Sequence, residues 1–292
     1  MSVVLPGAEH LFRVHNYNLR ETLTSGQAFR WAIGPEESWE SVVRGHWVRL
    51  IRTEQGIAAQ AAEPISDWNW LSHYLQTEVD LVAILRTFPV DGPMQSAVAA
   101  CAGLRLLRQD PWECLASFIL SSTKQIVQIQ QIVALVCERF GAPVAVPSGH
   151  KREFAFPTAE RIAACTESEL RACKMGFRAP YLLEAARRVK SGALDLESLS
   201  ALPVAQARTA LQSLPGVGRK IADCVLLFAY GFQEAFPIDV WVMKALRQLY
   251  FPRRTVSLNR LHRFAETHFG PYSGYAQQYL FHYTRTRDVP EV

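Results

Sequence analysis

The chain has 292 residues, which suits one large domain or two of ordinary size. Hydrophobic residues make up 49% and charged residues 20%, so the composition excludes a disordered chain. Neither end resembles a targeting segment. The longest apolar runs, residues 114–120 and 224–230, are shorter than the roughly 20 residues of a membrane-spanning helix. We therefore expect a soluble, intracellular protein without a membrane partner.

Charge is unevenly distributed along the chain. Residues 1–80 carry six Arg and no Lys against ten acidic residues, a net charge of −4. Residues 81–292 carry 25 basic and 17 acidic residues, a net charge of +8. Because Lys and Arg neutralise phosphates, a polyanionic partner would bind the C-terminal two-thirds. Many proteins with a basic half bind nothing anionic, so the asymmetry alone leaves the partner open.

The six cysteines include no Cys-x-x-Cys pair. This spacing argues against a zinc ribbon and against a dense disulfide scaffold. It suits reduced thiols, as in a cytosolic protein.

The first 65 residues predict β-strands, and the remainder predicts helices. Residues 11–14 and 46–51 mix β-forming and polar side chains, with turn residues at Gly34-Pro35 and Glu54-Gln55-Gly56. From about residue 67 the apolar residues recur at helical spacing. The fold class is therefore α+β and mostly α, with a β-rich N-terminal region before a helical body.

Several helix boundaries can be predicted from capping residues. Asp110 is a natural N-cap for a helix with Pro111 at its first position, and Glu113 would complete a capping box. Thr166 and Glu169 form a second capping box, which begins a short helix. Apolar spacing predicts a further helix that follows Ser122 and is stopped by Gly141, and others over residues 179–191, 203–213, 219–230, 240–250 and 258–268.

The segment Leu214-Pro-Gly-Val-Gly-Arg-Lys-Ile-Ala222 lies between two of these helices. Gly216 and Gly218 permit a tight turn whose backbone N–H groups can approach an anion, and the following helix directs its positive N-terminus there. A Gly-x-Gly turn alone is weak evidence for anion binding, since short glycine turns between helices are common in helical proteins. The whole segment resembles the hairpin of helix-hairpin-helix DNA-binding proteins.

Asp239 follows Lys220 by nineteen residues, within the sequence Phe-Pro-Ile-Asp-Val-Trp. An isolated Asp before an apolar helix is most simply an N-cap, and a hairpin lysine alone is as readily a phosphate contact as a nucleophile. Together, the hairpin lysine and the Pro-Ile-Asp sequence resemble the helix-hairpin-helix base-excision glycosylases. In that family, the lysine marks the bifunctional enzymes.

The chemistry of an N-glycosidic bond suits this pair. Its cleavage develops positive charge on the sugar, which an ionised Asp239 can stabilise, and an N-cap position favours that ionised form. Lys220 would attack C1′ as a neutral amine. A helix N-terminus, the neighbouring Arg219 and partial desolvation favour that form. The Schiff base would then permit β-elimination, which is a lyase step.

Three further segments resemble 8-oxoguanine DNA glycosylases: residues 24–31 (TSGQAFRW), 110–115 with Ser121-Ser122, and 270–277 (GPYSGYAQ). The resemblance covers about residues 11–285. It implies an N-terminal domain with an antiparallel sheet, residues 1–104. It also implies a helical helix-hairpin-helix glycosylase domain, residues 105–292, with two lobes that flank the cleft.

The resemblance also implies a pocket for the damaged base. Gly26 would offer its carbonyl to the N7 hydrogen that 8-oxoguanine has and guanine lacks. Cys224 would lie on the same helical face as Lys220, and Gln277 and Phe281 would supply an amide and a stacking ring. Each of these residues taken alone is better explained by ordinary packing or by a helix surface. Only their joint occurrence favours a pocket.

The implied DNA contacts depart from the family pattern. The family has asparagines after Ser-Ser, an arginine that reads the orphaned cytosine, a tyrosine wedge and a histidine that contacts phosphate. In this chain Thr123, Lys124 and Gln125 follow Ser-Ser, and Gln128 stands at the place of the cytosine-reading arginine. Phe177 replaces the tyrosine wedge with Arg178 retained beside it, and Trp241 replaces the histidine, so cytosine selectivity should be relaxed. The predicted DNA contacts are Thr123, Lys124, Gln125, Gln128, Phe177, Arg178, Gly216, Gly218 and Trp241.

Two other functions stay open from the sequence. The chain has no cysteine after Asp239, which argues against the iron–sulfur loop of related adenine-mismatch and endonuclease III enzymes. A helix-hairpin-helix glycosylase for another damaged base is one alternative, and a non-catalytic DNA-binding module is the other. We predict no cofactor, a monomer that acts on double-stranded DNA with damaged guanine, and a cytoplasmic or nuclear location. No metal is required; related hairpins often hold a cation, and we expect at most an alkali ion on the carbonyls of Gln212, Leu214 and Val217.

Overall fold

The N-terminal part of the chain forms an antiparallel sheet. The structure, a computed structural model, describes residues 8–252 and 254–288. The sheet strands are β1 (Ala8–Phe12), β2 (Ala32–Ile33), β3 (Trp39–Val43), β4 (His46–Thr53) and β5 (Gly56–Ala61). They pair in the order β1-β5-β4-β3-β2, so sequence neighbours β3, β4 and β5 form a meander and β1 closes on β5. Strand β4 contains the predicted run 46–51, whereas β1 ends at Phe12, two residues before the predicted end.

One face of the sheet is buried because apolar side chains alternate along its strands. Val48 and Leu50 on β4, with Ile57 and Ala59 on β5, are almost completely buried. Two short helices, α1 (Leu19–Leu23) and α2 (Asn69–Leu75), contribute to the same small core. This core fixes the position of the loop that follows α1.

The rest of the chain is predominantly helical. Its longer helices confirm the predicted segments within one or two residues, with two exceptions: the helix expected after Ser122 begins at Ile126, and regular α-helix ends at Val225, where residues 226–230 form a wider π-type turn. The helices are α3 (Leu81–Leu85), α4 (Gly92–Ala100), α5 (Pro111–Ser121), α6 (Ile126–Phe140), α7 (Ala159–Ala163), α8 (Glu167–Leu170), α9 (Ala179–Lys190), α10 (Val204–Gln212), α11 (Arg219–Val225), α12 (Val240–Tyr250), α13 (Leu258–His268) and α14 (Ser273–Asp288). Two short strands, β6 (Pro143–Val144) and β7 (Glu153–Phe154), pair in antiparallel fashion.

One predicted capping box is confirmed and the other is wrong. Thr166 and Glu169 cap α8 reciprocally. Asp110 accepts the Glu113 N–H (2.9 Å), as an N-cap does, but the Glu113 carboxylate turns to the Arg30 guanidinium, 3.8 Å away. A cation is a stronger partner for a carboxylate than a backbone N–H. Burial raises the pKa of Glu113 to about 7, against the opposing charge of Arg30.

The sheet and the helical body are joined along the extended segment 104–110. Leu107 packs into the small core under the sheet, and its neighbour Leu106 packs into the large helical core. Helices α3 and α4 also contribute to the large core. The predicted fold class is confirmed: an antiparallel five-stranded sheet precedes a helical body. The division at residues 104 and 105 remains a proposal, and its outer ends, residues 1–7 and 289–292, lie outside the described residues.

Two broad features of the chain bear on its surroundings. Within residues 8–252 and 254–288, no helix is long and apolar enough to cross a membrane. The six cysteines are buried and free.

Candidate active site

The glycine turn between α10 and α11 forms a helix-hairpin-helix unit. Leu214 and Val217 are buried, and the Val217 N–H closes the turn on the Leu214 carbonyl (3.2 Å). Gly216 has a φ of +78°, and a Cβ there would lie 2.5 Å from the Tyr181 ring. Both the conformation and the contact therefore require glycine. Gly218 is the N-cap of α11, so the helix N-terminus begins at the turn, as predicted.

Buried charges fix the two helices of the hairpin. Asp223 on α11 is 1% exposed and accepts from Arg208 on α10 at 2.6 Å. Arg219 lies 3.6 Å from the same carboxylate and also pairs with Glu266 on α13 at 2.9 Å. Arg219 is therefore accompanied by two carboxylates, those of Asp223 and Glu266.

Lys220 projects from the second position of α11 beside two side chains of the helical core. Its ammonium lies 5.2 Å from the centre of the Phe118 ring and within hydrogen-bonding reach of the Cys224 sulfur, one turn further along α11. Burial raises the pKa of Cys224 to about 12, despite the opposing effect of Lys220. The thiol is therefore neutral near pH 7, which leaves the amine as the nucleophile of this pair.

Asp239 caps the N-terminus of α12 and lies near enough to Lys220 and Cys224 for its charge to act on both. One carboxylate oxygen accepts the Val242 N–H at 2.8 Å, and the Trp241 N–H also contributes. Burial raises the pKa of Asp239, and the backbone N–H groups and the charge of Lys220 only partly oppose it. The expected preference for the ionised form is thus weaker than the N-cap alone suggests, because the carboxylate is largely removed from water.

The proposed base pocket is built from the loop after α1 and from α14. Gly26 has a φ of +76°, and a Cβ there would lie 2.9 Å from Ile126 and 3.3 Å from the Phe281 ring. Gly26 and Phe281, predicted to share the pocket, therefore lie side by side although 255 residues separate them. A Cβ would force the Ile126 side chain to shift and would crowd the Phe281 ring, and the positive φ also favours glycine, which therefore permits the close approach of backbone and ring.

Gln277 lies one helical turn before Phe281. It is 4% exposed, and its side-chain oxygen has no hydrogen-bond partner among the described residues. A buried amide oxygen without a donor is unfavourable by about 1–3 kcal/mol, so it suits a site where a ligand supplies the donor. The neighbouring Gln278 instead donates to the Ser25 carbonyl (2.8 Å) and ties α14 to the loop.

Gln27 is a residue that the sequence analysis did not single out, and it holds this loop in place. Its side chain is fully buried, and its amide nitrogen donates to the carbonyls of Thr22 (3.0 Å) and Arg105 (2.8 Å). Its amide oxygen accepts the Leu107 N–H (2.7 Å), and its own carbonyl accepts from the Gln109 side chain (2.6 Å). One side chain thus joins the loop to the segment between the two cores.

Replacing Gln27 with leucine should lower the free energy of unfolding by about 3–5 kcal/mol, because several buried backbone groups would lose their partners at about 1–3 kcal/mol each. Urea unfolding would measure the change. Gln55→Leu in the exposed β4–β5 turn is the matched control and should change stability by less than about 0.5 kcal/mol. Equal stabilities for the two variants would contradict the role given to Gln27.

The loop between α5 and α6 contains the predicted residues that follow Ser122. Thr123 is exposed with a φ of +55°, Lys124 is partly exposed, and Gln125 precedes α6. Arg178 is only 3% exposed, and its guanidinium donates to the Ser122 carbonyl and to the Thr123 hydroxyl (2.6 Å). The predicted direct DNA contact by Arg178 does not fit this burial. We propose instead that Arg178 holds the loop in its strained conformation.

The remaining predicted DNA contacts lie on the surface or near it. Gln128 is exposed, and its amide oxygen accepts the Gln125 N–H (3.2 Å), which leaves its amide nitrogen to donate. Phe177 is 51% exposed, with the Arg178 guanidinium 4.2 Å from its ring centre. Trp241 is partly buried on the first turn of α12. The structure leaves the roles of these residues as proposals.

The described residues provide no obvious metal centre. Within residues 8–252 and 254–288, no group of three or more His, Cys, Asp or Glu side chains is placed to hold a metal ion. Of the three hairpin carbonyls named above, that of Leu214 already accepts the Val217 N–H. The absence of a required cofactor stays a prediction.

Comparison with known proteins identifies both parts of the chain. Residues 11–115 match the 8-oxoguanine DNA glycosylase N-terminal domain, and residues 116–266 match the HhH-GPD superfamily of base excision DNA repair proteins. The N-glycosylase/DNA lyase OGG1 of Arabidopsis thaliana is 30% identical over 276 residues, which cover 89% of this chain and 75% of that protein.

Two solved structures share the whole architecture. The 8-oxoguanine glycosylase/lyase of Clostridium acetobutylicum, bound to double-stranded DNA with cytosine opposite 8-oxoG, has a TM-score of 0.89 and 32% identity, with 94% of each chain covered. MBOgg1, in complex with a low-affinity DNA ligand, has a TM-score of 0.90 at the same identity and coverage. This chain therefore belongs to the 8-oxoguanine DNA glycosylase family of the HhH-GPD base excision repair superfamily.

Proposed function

We propose that this protein excises 8-oxoguanine from double-stranded DNA and then nicks the abasic site through a Schiff base on Lys220. The observation that carries the proposal is that the N-termini of α11 and α12 bring Lys220 and Asp239 near one thiol, that of Cys224 further along α11. Lys220 lies beside Cys224, and the charges of both Lys220 and Asp239 act on that thiol. Family membership supports the reaction class, and the pocket near Gly26 supports the choice of base.

In the proposed reaction, the neutral Lys220 amine attacks C1′ of the flipped nucleotide. The bond from C1′ to N9 breaks, its electron pair leaves with the base, and Asp239 stabilises the positive charge on the sugar. The Lys220 nitrogen, now bonded to C1′, passes a proton to the departing base. The bond from C1′ to O4′ then breaks, O4′ takes up a proton, and the nitrogen becomes an iminium. Loss of a C2′ proton then expels the 3′ phosphate, which leaves a nicked strand.

The base would be recognised outside the duplex, because its distinguishing atoms cannot be reached while it is stacked. The Gly26 carbonyl would accept the N7 hydrogen. The unpartnered Gln277 oxygen would accept a donor from the Watson–Crick edge, and Phe281 would stack on the ring. Guanine lacks the N7 hydrogen and would leave the Gly26 carbonyl unpaired.

Borohydride trapping on matched duplexes tests the proposal. Four duplexes of one sequence would carry 8-oxoguanine, guanine, an alkylated purine or a preformed abasic site. We expect a covalent adduct with 8-oxoguanine and with the abasic site, and none with the other two. An adduct on the alkylated purine alone would favour a glycosylase for another lesion. Binding to all four without any adduct would favour a non-catalytic DNA-binding module.

The protein should discriminate only weakly among the four bases opposite the lesion. A fixed arginine fork suits the acceptors of an orphaned cytosine, and the Gln128 amide oxygen is already engaged in capping α6. One well-placed polar contact is worth roughly 1–3 kcal/mol against the wrong base, so excision opposite cytosine should exceed excision opposite the other bases by less than about a hundredfold. Single-turnover rates on four duplexes would measure this preference.

A substitution at Gln128 tests the same prediction about the preference for cytosine. Gln128→Arg should raise the preference for cytosine by about ten- to a hundredfold, because it supplies a second donor. Gln55→Arg adds the same charge in the β4–β5 turn and should leave the preference unchanged. A wild-type preference above about a thousandfold would mean that another residue reads the cytosine.

A further inference from the structure

Arg285 on α14 is a largely buried cation for which the proposed reaction has no use. It lies one helical turn after Phe281, and its guanidinium carbon is 5.6 Å from the centre of that ring. Its Nη2 donates to the Thr24 carbonyl at 2.5 Å. Thr24 begins the Thr24-Ser25-Gly26 segment, so one guanidinium contacts the loop and the ring that together form the proposed pocket.

A short hydrogen-bonded chain fixes this guanidinium. Nη2 also lies 3.1 Å from Nδ1 of His282. Because arginine has no acceptor, Nδ1 must accept, and the ring hydrogen is then on Nε2. That nitrogen donates to the Glu21 carboxylate on α1 at 2.7 Å. His282, in the middle of this link between α14 and α1, is 1% exposed, whereas Glu21 and Arg285 at its ends are partly exposed.

The arrangement is unfavourable for stability alone. Burial lowers the pKa of Arg285, against the opposing charges of Glu21 and Asp239. Its Nε is buried without a hydrogen-bond partner among the described residues. A buried, incompletely paired cation is often less stabilising than an apolar side chain of similar volume. Its contacts with Thr24, His282 and Phe281 give it a geometric role.

We propose that Arg285 is a positioning residue for base recognition, which holds the Gly26 carbonyl in register with the Phe281 ring. The inference rests on the proposed function, because it concerns the pocket for 8-oxoguanine. Without Arg285, the loop would keep its Gln27 and Gln278 contacts on one side, while the Thr24 side would be released from α14. A displacement of about 1 Å at a recognition site can slow a reaction on the order of a hundredfold.

The two steps of the reaction separate this role from a general structural one. Excision of 8-oxoguanine needs the base pocket, whereas nicking of a preformed abasic site needs Lys220 and the DNA contacts but no base. Arg285→Leu should therefore slow single-turnover excision about a hundredfold and change abasic-site nicking by less than about twofold. Equal losses in both assays, or no loss in either, would overturn the proposal.

A matched variant and a milder one complete the experiment. Arg287→Leu removes an exposed arginine that contacts Tyr283 of its own helix, and both rates should stay as in the wild type. Arg285→Gln keeps a shorter donor. It should lose about tenfold in excision alone, and it provides the test if Arg285→Leu does not fold.

The pH profile distinguishes positioning from an electrostatic effect on Asp239. If Arg285 acts by positioning, Arg285→Gln should lower the excision rate by the same factor at every pH and leave the acid midpoint of the profile unchanged. A shifted midpoint would mean that Arg285 acts through its charge, and the proposal would be wrong. If the wild type excises no 8-oxoguanine, the proposed function itself fails. Normal excision by wild type and by both Arg285 variants would reject this inference alone.

Discussion

Replacing Lys220 with glutamine should abolish covalent trapping and strand scission on 8-oxoguanine duplexes. The amide cannot form a Schiff base, so the lyase step loses its nucleophile, and base excision should fall on the order of a thousandfold or more. Lys220 is only half-buried, at the start of α11, and glutamine keeps a long polar side chain beside Phe118 and Cys224. Folding should therefore be retained.

Three measurements separate the role of Lys220 from DNA binding. The glutamine variant should bind lesion DNA about as tightly as the wild type, because the hairpin backbone and the positive C-terminal region remain. Lys151→Gln removes a lysine that is 78% exposed and pairs with Glu153, and it should trap normally. Residual trapping by Lys220→Gln would assign the nucleophile to another amine.

Local sequence signals were sufficient for the elements that carry the catalytic pair. The glycine turn at 216–218 needs only residues that tolerate its backbone and a helix on each side, and all of that information is contiguous in the chain. Asp239 was placed as an N-cap by the same kind of signal, and the structure gives it that place. The partnership of Lys220 and Asp239 was suggested by resemblance, since spacing along the chain does not determine proximity.

Contacts between segments far apart in the chain could not be predicted from local sequence patterns. Gln27 lay inside a quoted motif, but nothing local indicates that its amide pairs with residues 105 and 107. Glu113 had the right spacing for a capping box, yet it turned to Arg30, a competitor that periodicity does not show. Arg285 had no signal of its own, because the Thr24 carbonyl that it contacts lies 261 residues earlier.

The predicted pocket depends both on local spacing along one helix and on the packing of distant segments. Gln277 and Phe281 share a helical face by spacing alone, which explains why both project to the same side of α14. Their alignment with Gly26 depends on how the sheet and the helical body pack along segment 104–110. Local spacing therefore accounts for one wall of the proposed pocket, whereas Gly26 was suggested by resemblance and its proximity to Phe281 is seen only in the tertiary structure.

Asp239→Asn should reduce excision of 8-oxoguanine by about a hundred- to a thousandfold, the range for removing one electrostatic stabiliser from a transition state. Asparagine is about as good an N-cap as aspartate, so α12 keeps its cap and the bond from the Val242 N–H. The substitution thus removes the negative charge and little else. Single-turnover excision measures the effect, and Asp195→Asn, on an exposed loop capped in a similar way, serves as the control.

The raised pKa of Asp239 leads to two further expectations, one for the stability of Asp239→Asn and one for the pH dependence of excision. Burial raises the folded-state pKa above its usual value, so the carboxylate destabilises the fold at neutral pH and that penalty disappears as pH falls through the raised pKa. Asp239→Asn should therefore unfold in urea at the same or a higher concentration at pH 7. Wild-type excision should decline as pH falls through the same range, at a higher pH than an ordinary aspartate would give, because the reaction requires the ionised form. A variant that lost both activity and stability would show that Asp239 serves the fold and not the reaction.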